Sequence, residues 1–150
     1  MNLEVMVSDM NCSQFILATL LNSGGVFESA TKLQKIGFLS IYEKGLEAFT
    51  EFSWYHYGPF SKELQDTVET LNNEGLVIEE KLNRVSSSGN EYIIKRLTLT
   101  QKGKQKAKSV IAEMNGPNKL SLFETINQYG NKSLGKILQY VYSAYSPEDL

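Results

Sequence analysis

The chain of 150 residues is poor in the side chains that most often carry chemistry, with one histidine, one cysteine, one tryptophan and three prolines. A single thiol, Cys12, excludes an internal disulfide. With no basic residue adjacent to activate it, Cys12 is expected to lie buried or half-buried at a helix start. His56 is the only histidine, and no Cys or acidic cluster stands near it at ligand spacing, so no metal site is expected. Set between Tyr55 and Tyr57, His56 is read as structural, bonded to a backbone carbonyl or to a side chain such as Gln34. Gly24-Gly25 lacks the downstream Lys-Ser/Thr of a phosphate-binding loop, and no serine sits in a nucleophile elbow. The residues therefore imply neither an enzyme nor a cofactor. Long hydrophobic runs are also missing. The longest, Phe15 to Leu21 with Thr19 inside it, falls far short of the roughly 20 residues a membrane helix needs. No basic region precedes an apolar stretch at the Met1 end, and the expectation is a cytoplasmic protein with no membrane partner.

What is present reads as one domain over residues 1–150, with 41% hydrophobic and 21% charged residues, enough to build an ordinary core. Ser13 is placed to cap a helix through about Leu21, apolar nearly all round and stopped by Asn22-Ser23-Gly24-Gly25. A second helix is predicted from about Ser29 to Lys44, with Leu33, Ile36, Phe38, Leu39, Ile41 and Tyr42 on its apolar face. Glu51 to Tyr57 alternates as a short strand, which Gly58-Pro59 ends. Ser61 caps a helix over about Lys62 to Asn73, with Leu64, Val68 and Leu71 inward. Thr100 caps another from Gln101 to about Met114, closed by Gly116-Pro117. Two more helices are expected near Ser121 to Tyr129 and Ser133 to Tyr145. In the last, Leu134, Ile137, Leu138, Val141, Tyr142 and Tyr145 fall on one face that must be covered. Residues 117–150 are accordingly read as a helical extension able to dimerise the protein, and a homodimer is favoured.

Net charge is only −2, but its distribution is uneven. Residues 61–80 carry one basic and six acidic side chains, whereas residues 81–108 carry eight basic and one acidic. A local excess of +7 on a mildly acidic chain is the kind of field that attracts phosphate or an acidic surface.

The order of elements over Ser61–Gly103 predicts a winged-helix layout. A polar helix ends at Asn73-Glu74-Gly75, with Gly75 suited to positive φ. Leu76-Val77-Ile78 then opens a β-hairpin wing over about residues 76–99, whose polar tip is Arg84–Asn90 and whose return strand holds Tyr92-Ile93-Ile94. Leu97-Thr98-Leu99-Thr100 leads into the following helix. The fold class expected is α+β, predominantly helical, with a wing and additional C-terminal helices.

Two family resemblances follow from these residues. Thr31-Lys32-Leu33-Gln34-Lys35, with Trp54-Tyr55-His56-Tyr57-Gly58-Pro59-Phe60-Ser61 and Leu64, resembles the paired "KLQKL" and "YGP" signature of the Panacea (SocA-like) antitoxin superfamily and its phage-associated relatives, over about residues 14–80. Gly37-Phe38-Leu39 departs from the leucine and tyrosine pairs with which those relatives continue. The resemblance implies a mostly helical domain that neutralises a partner toxin or acts as an adaptor, without enzymatic activity. Leu64, Leu71, Gly75-Leu76-Val77, the loop at 84–92 and Leu99-Thr100-Gln101-Lys102-Gly103 are similar to the pattern of MarR and PadR winged-helix regulators.

Two functional classes result. The leading expectation is a dimeric transcriptional regulator that binds double-stranded DNA, with phosphate contacts from Lys81, Arg84, Lys95 and Arg96 and base-edge contacts from Ser61, Lys62, Gln65 and Asn72. The alternative is an antitoxin-like or adaptor protein. It would cover a basic protein partner, such as a toxin, with Trp54, Tyr55, Tyr57 and Phe60 and with the acidic helix carrying Glu63, Asp66 and Glu69. The carboxylates on that helix oppose groove insertion. Lys102 and Lys106 form one row on the next helix and Lys104 and Lys108 another, about 160° away, so those four lysines form no single patch.

Overall fold

A computed structural model describes residues 10–150. They form an α+β structure of six α-helices and two small antiparallel sheets, among the described residues. Helix α1, Cys12–Asn22, lies at the centre with Phe15, Ile16, Leu17, Ala18 and Leu20 fully buried. Its cap is Asn11 rather than the expected Ser13. The Asn11 Oδ1 accepts from the Gln14 backbone, and the Gln14 side chain accepts from Asn11 N–H in return, a reciprocal box that satisfies two orphan donors at once.

Strand β1, Val26–Phe27, leads to α2, Ala30–Tyr42, which Ser29 caps. Every residue of α2 from Leu33 to Ser40 is buried, because α3, α5, α6 and strands of both sheets pack on it and the Phe15 ring of α1 lies against Gly37. Strands β2, Ser53–Tyr55, and β3, Gly58–Phe60, then pair as a hairpin. Gly58-Pro59 therefore does not end the strand region as the sequence suggested. It forms the return strand, where proline is tolerated because the strand has no partner on its other edge among the described residues.

Helix α3, Lys62–Asn73, has the predicted boundaries, with Ser61 Oγ accepting from Leu64 N–H and Gly75 at φ +77° behind its end. Strands β4, Val77–Val85, and β5, Glu91–Leu99, pair along nine residues, and β1 adds two pairs to the far edge of β5, giving the order β1-β5-β4. Helix α4 spans Gln101–Glu113, capped by Thr100. Gly116-Pro117 does not close α4 but opens α5, Gly116–Tyr129. Asn115 caps that helix, and proline's missing N–H costs nothing in a first turn.

Helix α6, Leu134–Ala144, buries Ile137 and Val141 against the body. Tyr145 meets Phe38 edge-on, Tyr142 meets Trp54, and the Tyr142 hydroxyl donates to the His56 carbonyl. The face that had to be covered is thus occupied within the chain at Ile137, Val141 and Tyr145, while Tyr142 stays partly exposed. One hydrophobic cluster runs from Met10 through Val141, so residues 117–150 share the core rather than extending from it. No helix among the described residues is long and apolar enough to cross a membrane.

Candidate functional site: a groove beside the wing

The two sequence motifs at α2 and at the β2–β3 hairpin meet in space. Leu33 faces the core, while the next two side chains of α2 grip the hairpin by its main chain. Gln34 Oε1 accepts from Ser61 N–H at 2.8 Å and its Nε2 donates to Ser61 C=O at 2.9 Å, as a neighbouring strand would. Lys35, only 1% exposed, donates from Nζ to Pro59 C=O at 2.8 Å. Burial pushes the Lys35 ammonium down from 10.5 to about 8, and no carboxylate lies within ion-pair distance of it among the described residues.

Held this way, the hairpin forms one wall of a groove of about 640 Å³. Tyr55, Tyr57 and Phe60 line that wall. Opposite them stand Tyr92, Ile93, Ile94 and Lys95 of β5. The first turn of α2 closes one side, and Leu64, Gln65 and Val68 of α3 add to the lining. Tyr55 and Tyr57 are 58% and 67% exposed, and Ile93 is 63% exposed, so large apolar side chains rim the opening.

The expected nucleic-acid contacts distribute differently. Ser61 is 1% exposed. Its hydroxyl caps α3 and lies 2.7 Å from Thr50 Oγ1, so it has nothing to offer a base edge and leaves that set. Lys62 is exposed but paired with Asp66 at 2.9 Å, and Asn72 Oδ1 accepts from Glu79 N–H. Gln65 lies in the groove.

On the wing, residues directly across the ladder share a face, so Lys81 and Lys95 occupy one side of the hairpin and Arg84 and Arg96 the other. Arg84 lies 3.5 Å from Glu28, Lys95 3.9 Å from Glu79 and Arg96 3.2 Å from Glu80. The +7 strip is consequently divided between two faces, and three of its four wing cations sit beside carboxylates. Lys102, Lys104, Lys106 and Lys108 are all exposed on α4.

Of the expected partner contacts, Tyr55, Tyr57 and Phe60 meet in the groove, whereas Trp54 is half-buried against α6. Glu63, Asp66 and Glu69 are exposed on α3 outside the groove lining, and Glu63 accepts from Thr50 Oγ1 at 2.7 Å. His56 is exposed and lines the groove. Its expected bond to Gln34 does not form, because Gln34 is committed to Ser61.

Sequence reasoning missed the buried Lys35 and the β5 wall. The β-branched and aromatic character of Tyr92, Ile93 and Ile94 identified a strand, but nothing local marked which of its edges stays open. Among the described residues no group of three or more His, Cys, Asp or Glu is arranged to hold a metal ion. Comparison with protein-family models, with curated proteins and with solved structures finds no match to this chain.

Proposed function

We propose that this chain is a non-enzymatic binding protein that holds a protein partner in the groove between β5 and the Tyr55–Phe60 hairpin, in the manner of an antitoxin or adaptor. The observation that carries the reading is the groove itself: an apolar trough rimmed by Tyr55, Tyr57 and Ile93, each more than half exposed. Aromatic side chains held on a rigid support are the usual anchors of protein interfaces. The bonds from Gln34 and Lys35 to residues 59–61 supply that support. Within this proposal, α3 followed by the β4–β5 hairpin is a winged-helix-like unit whose wing has become a groove wall.

The same unit is the basis of the DNA-binding reading, and the electrostatics favour the protein partner over it. The exposed face of α3 carries Glu63, Asp66 and Glu69, which phosphate repels, and the wing cations are divided between two faces.

The test places a photo-reactive benzoylphenylalanine at Tyr57, or at Lys108 on α4 outside the groove lining, in the cells that make the protein. A single defined adduct from position 57 but not from position 108 is expected. The purified chain should also fail to bind mixed-sequence duplex DNA at about 50 mM salt. DNA binding that weakens steeply toward about 200 mM salt, and disappears when Lys81, Arg84, Lys95 and Arg96 are reversed in charge, would return the regulator to first place.

A further inference from the structure

Among the described residues, strand β5 is paired along its whole length on one side only. On its other side β1 meets only Leu97 and Thr98, and the chain then turns away at Ser29 into α2. The direction of each backbone group in β5 follows from three bonds at its ends. Leu99 N–H donates to Gly25 C=O on the β1 side, whereas Thr100 N–H donates to Leu76 C=O and Ser86 N–H to Asn90 C=O on the β4 side. In an antiparallel ladder the N–H and C=O of one residue point the same way and alternate along the strand. Arg96, Ile94 and Tyr92 therefore bond to β4. Lys95, Ile93 and Glu91 direct their N–H and C=O to the open edge.

That edge faces the groove. Four consecutive residues, Tyr92 to Lys95, line it, which side chains on one face of a strand cannot do, since they alternate. The wall thus includes the strand's edge, with donors and acceptors that are unpaired among the described residues at the spacing of a missing neighbour, while Glu79 of β4 adds part of the adjoining sheet face. Its charge is also unbalanced. Among the lining residues Lys95 and Glu79 offset each other at 3.9 Å, which leaves Lys35, buried with its ammonium on the Pro59 carbonyl, as a lining cation without a carboxylate among the described residues.

We infer that β5 receives an extended peptide segment of the partner as an added strand along residues 91–96. Alternate apolar side chains of that segment fill the groove between Tyr55, Tyr57 and Val68, and an acidic side chain or terminal carboxylate offsets the residual positive charge of the lining. The inference rests on the partner-binding reading and specifies what the partner presents. Main-chain pairing supplies the attachment, and the alternating pockets supply the selectivity.

The decisive variant is Ile93→Pro. At that position proline removes only an open-edge N–H and leaves the β4 ladder intact. Ile93→Thr loses the same side chain but keeps the donor. Random linear dodecapeptides are selected on the purified full chain, and binders are re-measured on a Tyr55→Ser/Tyr57→Ser double variant, with circular dichroism confirming that each variant is folded. The expected outcome has three parts: groove-dependent peptides that alternate apolar residues around an acidic one; binding about tenfold weaker in Ile93→Pro than in Ile93→Thr, which carries the side-chain loss alone; and a similar loss when alternate peptide amides are N-methylated.

Groove-dependent peptides indifferent to Ile93→Pro and to N-methylation would overturn strand addition while leaving the groove as the binding site. Binders unaffected by the double variant, or none at all, would overturn the groove reading as well. Dimerisation in sedimentation that Ile93→Pro abolishes would place a second copy of the chain on this edge and overturn the peptide as occupant.

Discussion

Replacing Glu43 by glutamine tests what fastens α6 to the rest of the protein. The Glu43 carboxylate, just beyond the end of α2, accepts hydrogen bonds from the hydroxyls of Tyr129 on α5, Tyr140 on α6 and Tyr145 behind α6, the last at 3.1 Å. Burial alone would raise its pKa. The three phenols, together with the charge of Lys44, outweigh that effect and hold it below the ordinary 4.5. A hydrogen bond to a charged group contributes about 1.5–3 kcal/mol where water is excluded, and less where it is not. Tyr129 is buried and Tyr140 is exposed, so the three together should sum to well under three times that figure. Glutamine keeps one acceptor oxygen, removes the charge and turns an amide donor toward a phenol. The net loss is about 2–3 kcal/mol, which for a chain of this length lowers Tm by about 5–10 °C.

Thermal unfolding followed by circular dichroism at pH 7 measures it directly. A carboxylate whose folded pKa is depressed stabilises above its unfolded pKa and ceases to as pH falls through the folded value. The gap between wild type and Glu43→Gln should therefore narrow below about pH 4.5. A variant melting within about 1 °C of wild type at pH 7 would refute the argument, because it would mean that water serves the three phenols equally well.

Gln34→Leu should cost about 1–3 kcal/mol, since it leaves the Ser61 N–H buried without a partner while the Ser61 C=O keeps only its bond from Gln65 N–H; chemical denaturation reads the loss, and a change under about 0.5 kcal/mol would mean that the hairpin is held by other contacts. Lys35, depressed to about 8 by burial, binds its proton more weakly when folded, so wild-type stability should rise from about pH 8 toward pH 10. Lys35→Met should flatten that rise, and an unchanged pH profile would place the cause elsewhere. Burial, with the nearby Glu63 charge, pushes the Cys12 thiol up to about 11, so the folded chain should resist thiol-reactive disulfide reagents at pH 8 and react promptly in denaturant; fast labelling of folded protein would show α1 opening.

The parts of the fold legible in sequence were those fixed by neighbours along the chain. Helix α3 was bounded to the residue, because Ser61 and Gly75 act within one turn of its ends. The β4–β5 hairpin followed from a polar tip between two β-rich segments. The Asn11 cap was missed although Asn-x-x-Gln carries its own signal. Pro59 and Pro117 were read as stops when one sits in a return strand and the other in a first turn, a choice that partners elsewhere in the chain decide. Strand β1, two residues long, has no periodicity to detect. The groove was least legible. Tyr55 and Tyr57 were singled out, but the opposite wall depends on which edge of β5 remains unpaired, and that is set by the chain turning away at Ser29.

Gln34 and Lys35 secure the β2–β3 hairpin through its peptide groups, and peptide groups are the same whatever residue carries them. The side chains of Tyr55, Tyr57 and Phe60 are correspondingly free to change without loosening the hairpin's attachment. A lineage can rewrite that rim while inheriting the anchorage unchanged, and an engineer can randomise it on the same terms.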